Sequence, residues 1–392
     1  CPPLFARLAG SYSPPLCFAT SHQPFPQVTD SNCFPSCNAS RINNKMSKPE
    51  DLPPMEYRFL GRSGLQVSAI SLGGWLTYGG HVDSEGTFKC MKAAYDSGVN
   101  FFDTAETYAN GESEIVMGQA IKKYGWKRND LVISTKIYWG GAFGDNAVNN
   151  KGLSRKHVIE AMDACLERLD LKYVDLVYAH RPDRQTPMEE TVRAFNHLIN
   201  TGKAFYWGTS EWSADEIAQA WRYADKLNLV GPIMEQPSYS MLDRKKVEHE
   251  FFHLYREVGT GLTVFSPLRQ GILSGKYKNG IPEDSRFGSE NIGFIKDFWK
   301  RENAKKQFQD LVDKANKIEP IAEKLGIKMA TLALAWVLKN KNVSSAIIGA
   351  SSPEQVFENI RAIGAQEKLT DEIMKEIDEA LENKPDAIIP RF

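Results

Sequence analysis

The chain has 392 residues, 42% of them hydrophobic and 25% charged, with a formal net charge of -1, the proportions of an ordinary soluble globular protein. Near-neutral charge leaves no field to hold nucleic acid or acidic lipid, and no apolar run of about 18 residues or more offers a membrane-spanning helix. Of six cysteines, Cys1, Cys17, Cys33 and Cys37 fall in the leading stretch and only Cys90 and Cys165 in the patterned body, so we expect no disulfide framework and a reducing, cytoplasmic setting.

From Cys1 to about Lys45 the chain is rich in Pro, Ser and Asn without periodicity, and such a segment cannot bury enough to order itself. Met46 opens "MSKPEDLPPMEYRFLG". Residues 1–50 are therefore read as a disordered leader or non-native upstream segment, and 51–392 as one barrel domain. Arg7 and the few acidic residues leave a transit-like peptide open, without the Arg-rich amphipathic pattern that would support it.

From Tyr57 onward eight β-branched or aromatic runs appear in order: "VSAISLGG", "VNFFDTA", "DLVISTKI", "VDLVYAH", "AFYWGTS", "PIMEQPSYS", "GLTVFSP" and "SSAIIGAS". Between them lie amphipathic segments such as "SRKHVIEAMDACLERLD", "TPMEETVRAFNHLIN" and "SADEIAQAWRYADKL", each opened by a Ser or Thr expected as N-cap. Alternating strands and helices imply parallel βαβ units, and eight of them imply a closed (β/α)8 TIM barrel of α/β class. A doubly wound sheet would normally carry a G-x-G-x-x-G turn, which this chain lacks. Longer gaps follow the third and seventh runs, where a barrel's ligand-binding end would lie.

In a barrel, polar residues at the C-terminal ends of strands face the mouth. Run two ends in "FFDTAETYANGESE", run three in "STKI" and run four in "VYAHRPD", offering Asp103, Tyr108, Lys136 and His180 together. Taken singly, each has a plain structural role: helix cap, mouth aromatic, buried ion partner, satisfied core histidine. Four on consecutive strands point instead to chemistry. A nearby ammonium is expected to make the Tyr108 phenol unusually acidic, with a carboxylate fixing the ammonium and an imidazole orienting an oxygen that gains negative charge.

Run seven leads into "FSPLRQGILSGKY" and "EDSRF", with Gly271, Lys276 and Arg286; run eight leads through Gly349 into "GASSPEQVFENI", with Pro353 at a helix start. Cations and backbone N–H groups at a helix N-terminus suit a phosphate-bearing cofactor. "GILSGKY" is one residue short of a Walker loop, which argues against nucleotide hydrolysis. "VEHEFFHLY" spells H-E-x-x-H across His249, Glu250 and His253, but it falls on an outer helix with no third ligand evident, so we expect no metal.

"NFFDTAETYANGESE", "STKI" and "HRPD" resemble the aldo-keto reductases. "GRSGLQVSAISLGGW", "KIYWGGA", "YWGTSEWSADEI" and "FSPLRQGILSGKY" are most similar to the branch of that family containing the voltage-gated potassium channel β subunits. The likeness spans roughly Tyr57 to Pro385. It implies an NADPH-dependent barrel that reduces carbonyls by hydride transfer, often as a homotetramer. Carried over by position, Tyr108 looks like the general acid, with Asp103, Lys136 and His180 completing a tetrad. Asp103, Trp75, Ser210, Gln236, Phe265, Ser266, Pro267, Leu268 and Gly271 match positions around the nicotinamide and pyrophosphate. Lys276, Arg286, Gly349, Ser351 and Gln355 match positions around the 2′-phosphate, with Glu358 and Asn359 at the adenine.

Three departures stand out against the resembled pattern: His180 where the animal channel subunits have Asn, Glu211 in place of a basic residue, and Gly74 in place of a small polar one. His180 argues for a complete reductase site. Two functions are thus implied, a reductase acting on small-molecule aldehydes and ketones, or a redox-sensing subunit of a membrane channel. The leading stretch lacks the basic, apolar character of a pore-blocking tail. The substrate pocket is expected from variable loops, including Trp139 to Asn150 and the tail near Pro390.

Overall fold

The computed structural model describes residues 49–392 apart from 76, 77, 79–82, 142–147, 284, 286, 289–292, 387 and 389–392. The chain enters through an antiparallel hairpin of β1 (Tyr57–Phe59) and β2 (Gln66–Ser68). Eight parallel strands follow: β3 (Ile70–Gly73), β4 (Phe101–Asp103), β5 (Val132–Ile137), β6 (Val174–Ala179), β7 (Ala204–Ser210), β8 (Met234–Gln236), β9 (Gly261–Val264) and β10 (Val343–Ile348). They close into a ring in the order β10-β3-β4-β5-β6-β7-β8-β9. This is the expected (β/α)8 barrel.

The expected first run divides in two. "VSAISLGG" reads as one strand, yet Gln66–Ser68 belongs to the hairpin and only Ile70–Gly73 joins the barrel. The hairpin has a job of its own: Leu60 and Val67 are fully buried in an interior cluster with Phe101, Val132, Leu176, Tyr178, Ile233 and Met234. Gly61 permits this plug, because its φ of 54° is left-handed and a Cβ there would stand 2.5 Å from the Gly261 nitrogen.

The period-two alternation of a strand then sorts every barrel residue. Phe102, Ile133, Val177, Ala179 and Trp207 face outward into the large cluster shared with the helices. Their neighbours in sequence face the interior. Along those inward rows, side chains change from apolar at the plugged end to polar at the other: Phe101 to Asp103, Val132 through Ser134 to Lys136, Leu176 through Tyr178 to His180, Met234 to Gln236. Apolar burial thus holds the barrel shut at one end and leaves polar groups gathered at the open one.

Helices Arg155–Leu169 and Ala214–Leu227 begin as expected. Ser154 accepts from His157 N, and Ser213 forms a capping box with Glu216. The helix Met188–Asn200 differs, since Pro187 takes the cap position and Thr186 donates to Asp183 Oδ2 at 2.7 Å. That carboxylate also accepts from Leu153 N and Gln185 N, so a local acceptor outcompetes the cap. Cys90 and Cys165 are free and buried. Among the described residues no helix is long and apolar enough to cross a membrane.

Candidate active site

At the open end, Lys136 is wholly buried, and its Nζ donates to Asp103 Oδ2 at 2.5 Å, to the Thr104 carbonyl at 2.7 Å and to Tyr108 Oη at 3.1 Å. All three ammonium protons are therefore placed. Burial alone would strip the charge from Lys136, but the carboxylate and phenol beside it raise its pKa, so it stays an ammonium. Asp103 in turn accepts from Ser134 Oγ at 2.6 Å and Gln236 Nε2 at 3.2 Å through Oδ1. A buried ion pair is tolerable only when its remaining lone pairs are satisfied in this way.

Tyr108 sits just beyond β4, where Ala109, Asn110 and Gly111 take φ of 48°, 55° and 93° in succession. Left-handed backbone at two non-glycine residues costs about 1 kcal/mol or more each. That turn brings the phenol back over Lys136. Because Lys136 donates to the Tyr108 oxygen, the phenol keeps its own proton for another acceptor. The expectation of an unusually acidic phenol is corrected here: burial outweighs the Lys136 ammonium and, with the Asp103 charge, holds Tyr108 above its ordinary pKa. Tyr108 is thus fully protonated at neutral pH.

His180 closes the group, its ring meeting that of Tyr108 edge-on with centroids 5.7 Å apart. Burial, then the Lys136 and Arg181 charges, push its pKa well below the usual range. The imidazole is therefore neutral, and its Nδ1 has no hydrogen-bond partner among the described residues. A protonated phenol with an ammonium behind it and a neutral imidazole ring beside it form a corner suited to an oxygen that becomes more negative.

The expected cofactor positions divide into two sets. Ser210 and Gln236, paired in register across β7 and β8, are joined to the tetrad: Ser210 Oγ donates to the Gln236 carbonyl at 2.9 Å, and the Gln236 amide reaches Asp103. The second set lies on the turns after β9 and β10. Phe265 ends β9 in an isolated bridge with Ser238. Ser266, Arg269, Gln270 and Gly271 all take positive φ around Pro267 and Leu268, and the tight turn is held by Arg269 N donating to the Ser266 carbonyl and Gly271 N to the Leu268 carbonyl. Lys276 is exposed, its Nζ 5.0 Å from the centre of the Tyr277 ring, and it folds over Gly271, where a Cβ would lie 2.7 Å from Lys276 Cε.

Beyond β10, Gly349 and Ser351 are exposed, and Ser351 N donates to Gln355 Oε1 at 3.0 Å. The helix Pro353–Ile360 has no side-chain cap on its first N–H groups. Asn359 is buried near the C-terminal end of this helix, whereas Glu358 is already engaged by Lys328 at 2.9 Å, Thr331 at 2.9 Å and Arg361 at 3.4 Å. Exposed ammonium, uncapped helix N-terminus and left-handed turn together fit an anionic group such as a phosphate. Trp75 stands half exposed after β3, and Arg286 lies outside the described residues, as does the tail near Pro390.

The H-E-x-x-H residues are engaged separately. The His249 ring meets the Asp386 carbonyl at 3.1 Å, Glu250 accepts from Ala214 N at 3.1 Å, and His253 approaches Glu257 at 4.0 Å. Glu211, the departure after Ser210, takes φ 61° and accepts from Ser238 N at 2.7 Å, so its carboxylate ties two loops together.

The family model for the aldo/keto reductase family matches residues 69–382, which takes in β3 through β10 and every tetrad residue. The chain belongs to the aldo/keto reductase family. Within it, the chain is 50% identical over 332 residues to proteins from Arabidopsis thaliana and from Oryza sativa subsp. japonica, each named a probable voltage-gated potassium channel subunit beta, covering 84% of this chain and 98% of each relative. A putative voltage-gated potassium channel subunit beta from Schizosaccharomyces pombe is 51% identical over 339 residues, covering 86% of this chain and 96% of the relative. As an aldo/keto reductase, the chain is an oxidoreductase by family.

Proposed function

We propose that this aldo/keto reductase uses NADPH to reduce aldehydes and ketones to alcohols, with Tyr108 as general acid. One observation carries the reading: Lys136 donates to the Tyr108 oxygen and not the reverse, which leaves the phenol its own proton beside a neutral imidazole. NADPH held along Ser210, Gln236 and the turns after β9 and β10 would supply the hydride to the carbonyl carbon. Tyr108 gives its proton to the carbonyl oxygen, so that one C–H and one O–H bond replace the C=O π bond. Lys136 holds the developing phenolate by charge, and Asp103 keeps Lys136 in place. His180, its ring against that of Tyr108, orients the same oxygen. Lys276, with Arg286 by position, gives the preference for the extra phosphate of NADPH over NADH.

The relatives' names support a second role, as a β subunit of a voltage-gated potassium channel, and a redox-sensing homotetramer is the form we propose for it. A cytoplasmic location fits both, given that Cys90 and Cys165 are unpaired. Steady oxidation of NADPH over many cycles with 4-nitrobenzaldehyde tests the enzyme reading. Oxidation that stops after one nicotinamide per protein, with co-purification of a channel, favours the second role alone.

A further inference from the structure

Arg181 directly follows His180 and plays no part in the tetrad. Its Nη1 donates to the His180 carbonyl and to Ser210 Oγ, the latter at 3.3 Å. Both acceptors are neutral. The nearby carboxylates are committed elsewhere: Asp103 to Lys136, Asp183 to Leu153, Gln185 and Thr186, and Glu211 to Ser238 and Lys246. Among the described residues no carboxylate stands within ion-pair distance of Arg181, although it is half-buried. A partly desolvated guanidinium that makes only neutral contacts is a charge awaiting an anion. Its field reaches the reacting corner, where it partly offsets the rise that burial causes at Tyr108 and adds to the fall that burial and Lys136 cause at His180.

That anion is not a cofactor phosphate. In the ring order, β6, which delivers Arg181, stands three strands from β9 and four from β10, so groups bound on the β9 and β10 turns lie across the mouth from it. What remains within reach of both Arg181 and the Tyr108–His180 corner is the substrate. We infer that Arg181 binds an anionic group of the substrate, so that the preferred substrates are carbonyl compounds carrying a carboxylate. This rests on the reductase reading above and adds the substrate class to it.

The three formylbenzoate isomers, each compared with its own methyl ester in NADPH-dependent turnover, test this with the intact protein. We expect kcat/KM for at least one acid to exceed that for its ester by about tenfold or more, the usual scale of a charge-assisted hydrogen bond. The ratio should fall toward one in Arg181→Met, stay partly above one in Arg181→Lys, and shrink as salt is added. Reduction of the esters with no preference for any acid, or a preference unchanged in Arg181→Met, overturns the inference while the reductase reading stands. Reduction of neither acids nor esters removes both. If Arg181→Met does not fold, as judged by circular dichroism and thermal melting, the wild-type ratio and Arg181→Lys decide.

Discussion

The ends of β4, β5 and β6 differ sharply from the turns after β9 and β10. On the first side the two tetrad charges are buried and answered: Asp103 accepts from Ser134, Lys136 and Gln236, and Lys136 spends three protons on three fixed oxygens. On the second side Lys276 is exposed and the helix Pro353–Ile360 begins uncapped. The reacting corner is preorganised by the fold, while the half proposed to hold the cofactor's phosphates presents an exposed ammonium and uncapped N–H groups. Preorganised donors are worth most where charge develops, because no reorganisation accompanies the reaction. Adaptable surface cations suit reversible binding.

The contrast can be broken most severely at Lys136. Lys136→Met leaves Asp103 as an unpaired buried charge, and we expect a loss of about 3 to 5 kcal/mol in urea unfolding with turnover reduced about a hundredfold or more. Restored stability in the Lys136→Met, Asp103→Leu double variant would sharpen the assignment of that loss to the stranded carboxylate.

Just outside the tetrad, Glu235 has its Oε1 without a partner and its other oxygen accepting from Thr209; burial pushes its pKa up to about 8. The native state thus binds a proton that the unfolded chain releases. Its contribution is whole below about pH 4.5 and disappears as pH rises through about 8. In Glu235→Gln the decline in stability between about pH 4.5 and 8, of about 1.4 kcal/mol per pH unit at its steepest, should vanish. His180 has the opposite sign. Held neutral by burial, its contribution is whole above about pH 6.5 and is lost as pH falls below that. His180→Asn should flatten the acid decline in melting temperature.

The smallest effect belongs to the open half. Lys276→Ala should raise the Kd for NADPH about tenfold, with little change for NADH. Titrations by nicotinamide fluorescence check this, and equal losses for both cofactors would remove the phosphate assignment.

Much of this was legible in the chain. Asp103, Lys136 and His180 close apolar runs, and strand parity with barrel topology forces such residues into the mouth. The parity that turns Gln236 inward also turns Glu235 outward, which no composition reveals. The hairpin plug was hidden because "VSAISLGG" is apolar throughout, and the break at Ala69 depends on Leu60 and Val67 filling a space that exists only once the barrel closes. The Lys136 charge alone points to a more acidic Tyr108, whereas burial, which depends on the surrounding packing, raises its pKa. Arg181 was passed over beside His180. Its lack of a carboxylate partner is a property of the three-dimensional arrangement.

The most direct test is the hydride-transfer step itself, followed by stopped-flow loss of NADPH absorbance with saturating 4-nitrobenzaldehyde in the wild type and in Tyr108→Phe. The phenylalanine removes one oxygen and its proton while keeping the ring against His180. If Tyr108 is the proton donor, the step slows by about a hundredfold to ten-thousandfold. A rate within about threefold of the wild type, a difference of less than about 1 kcal/mol in the barrier, would contradict the account.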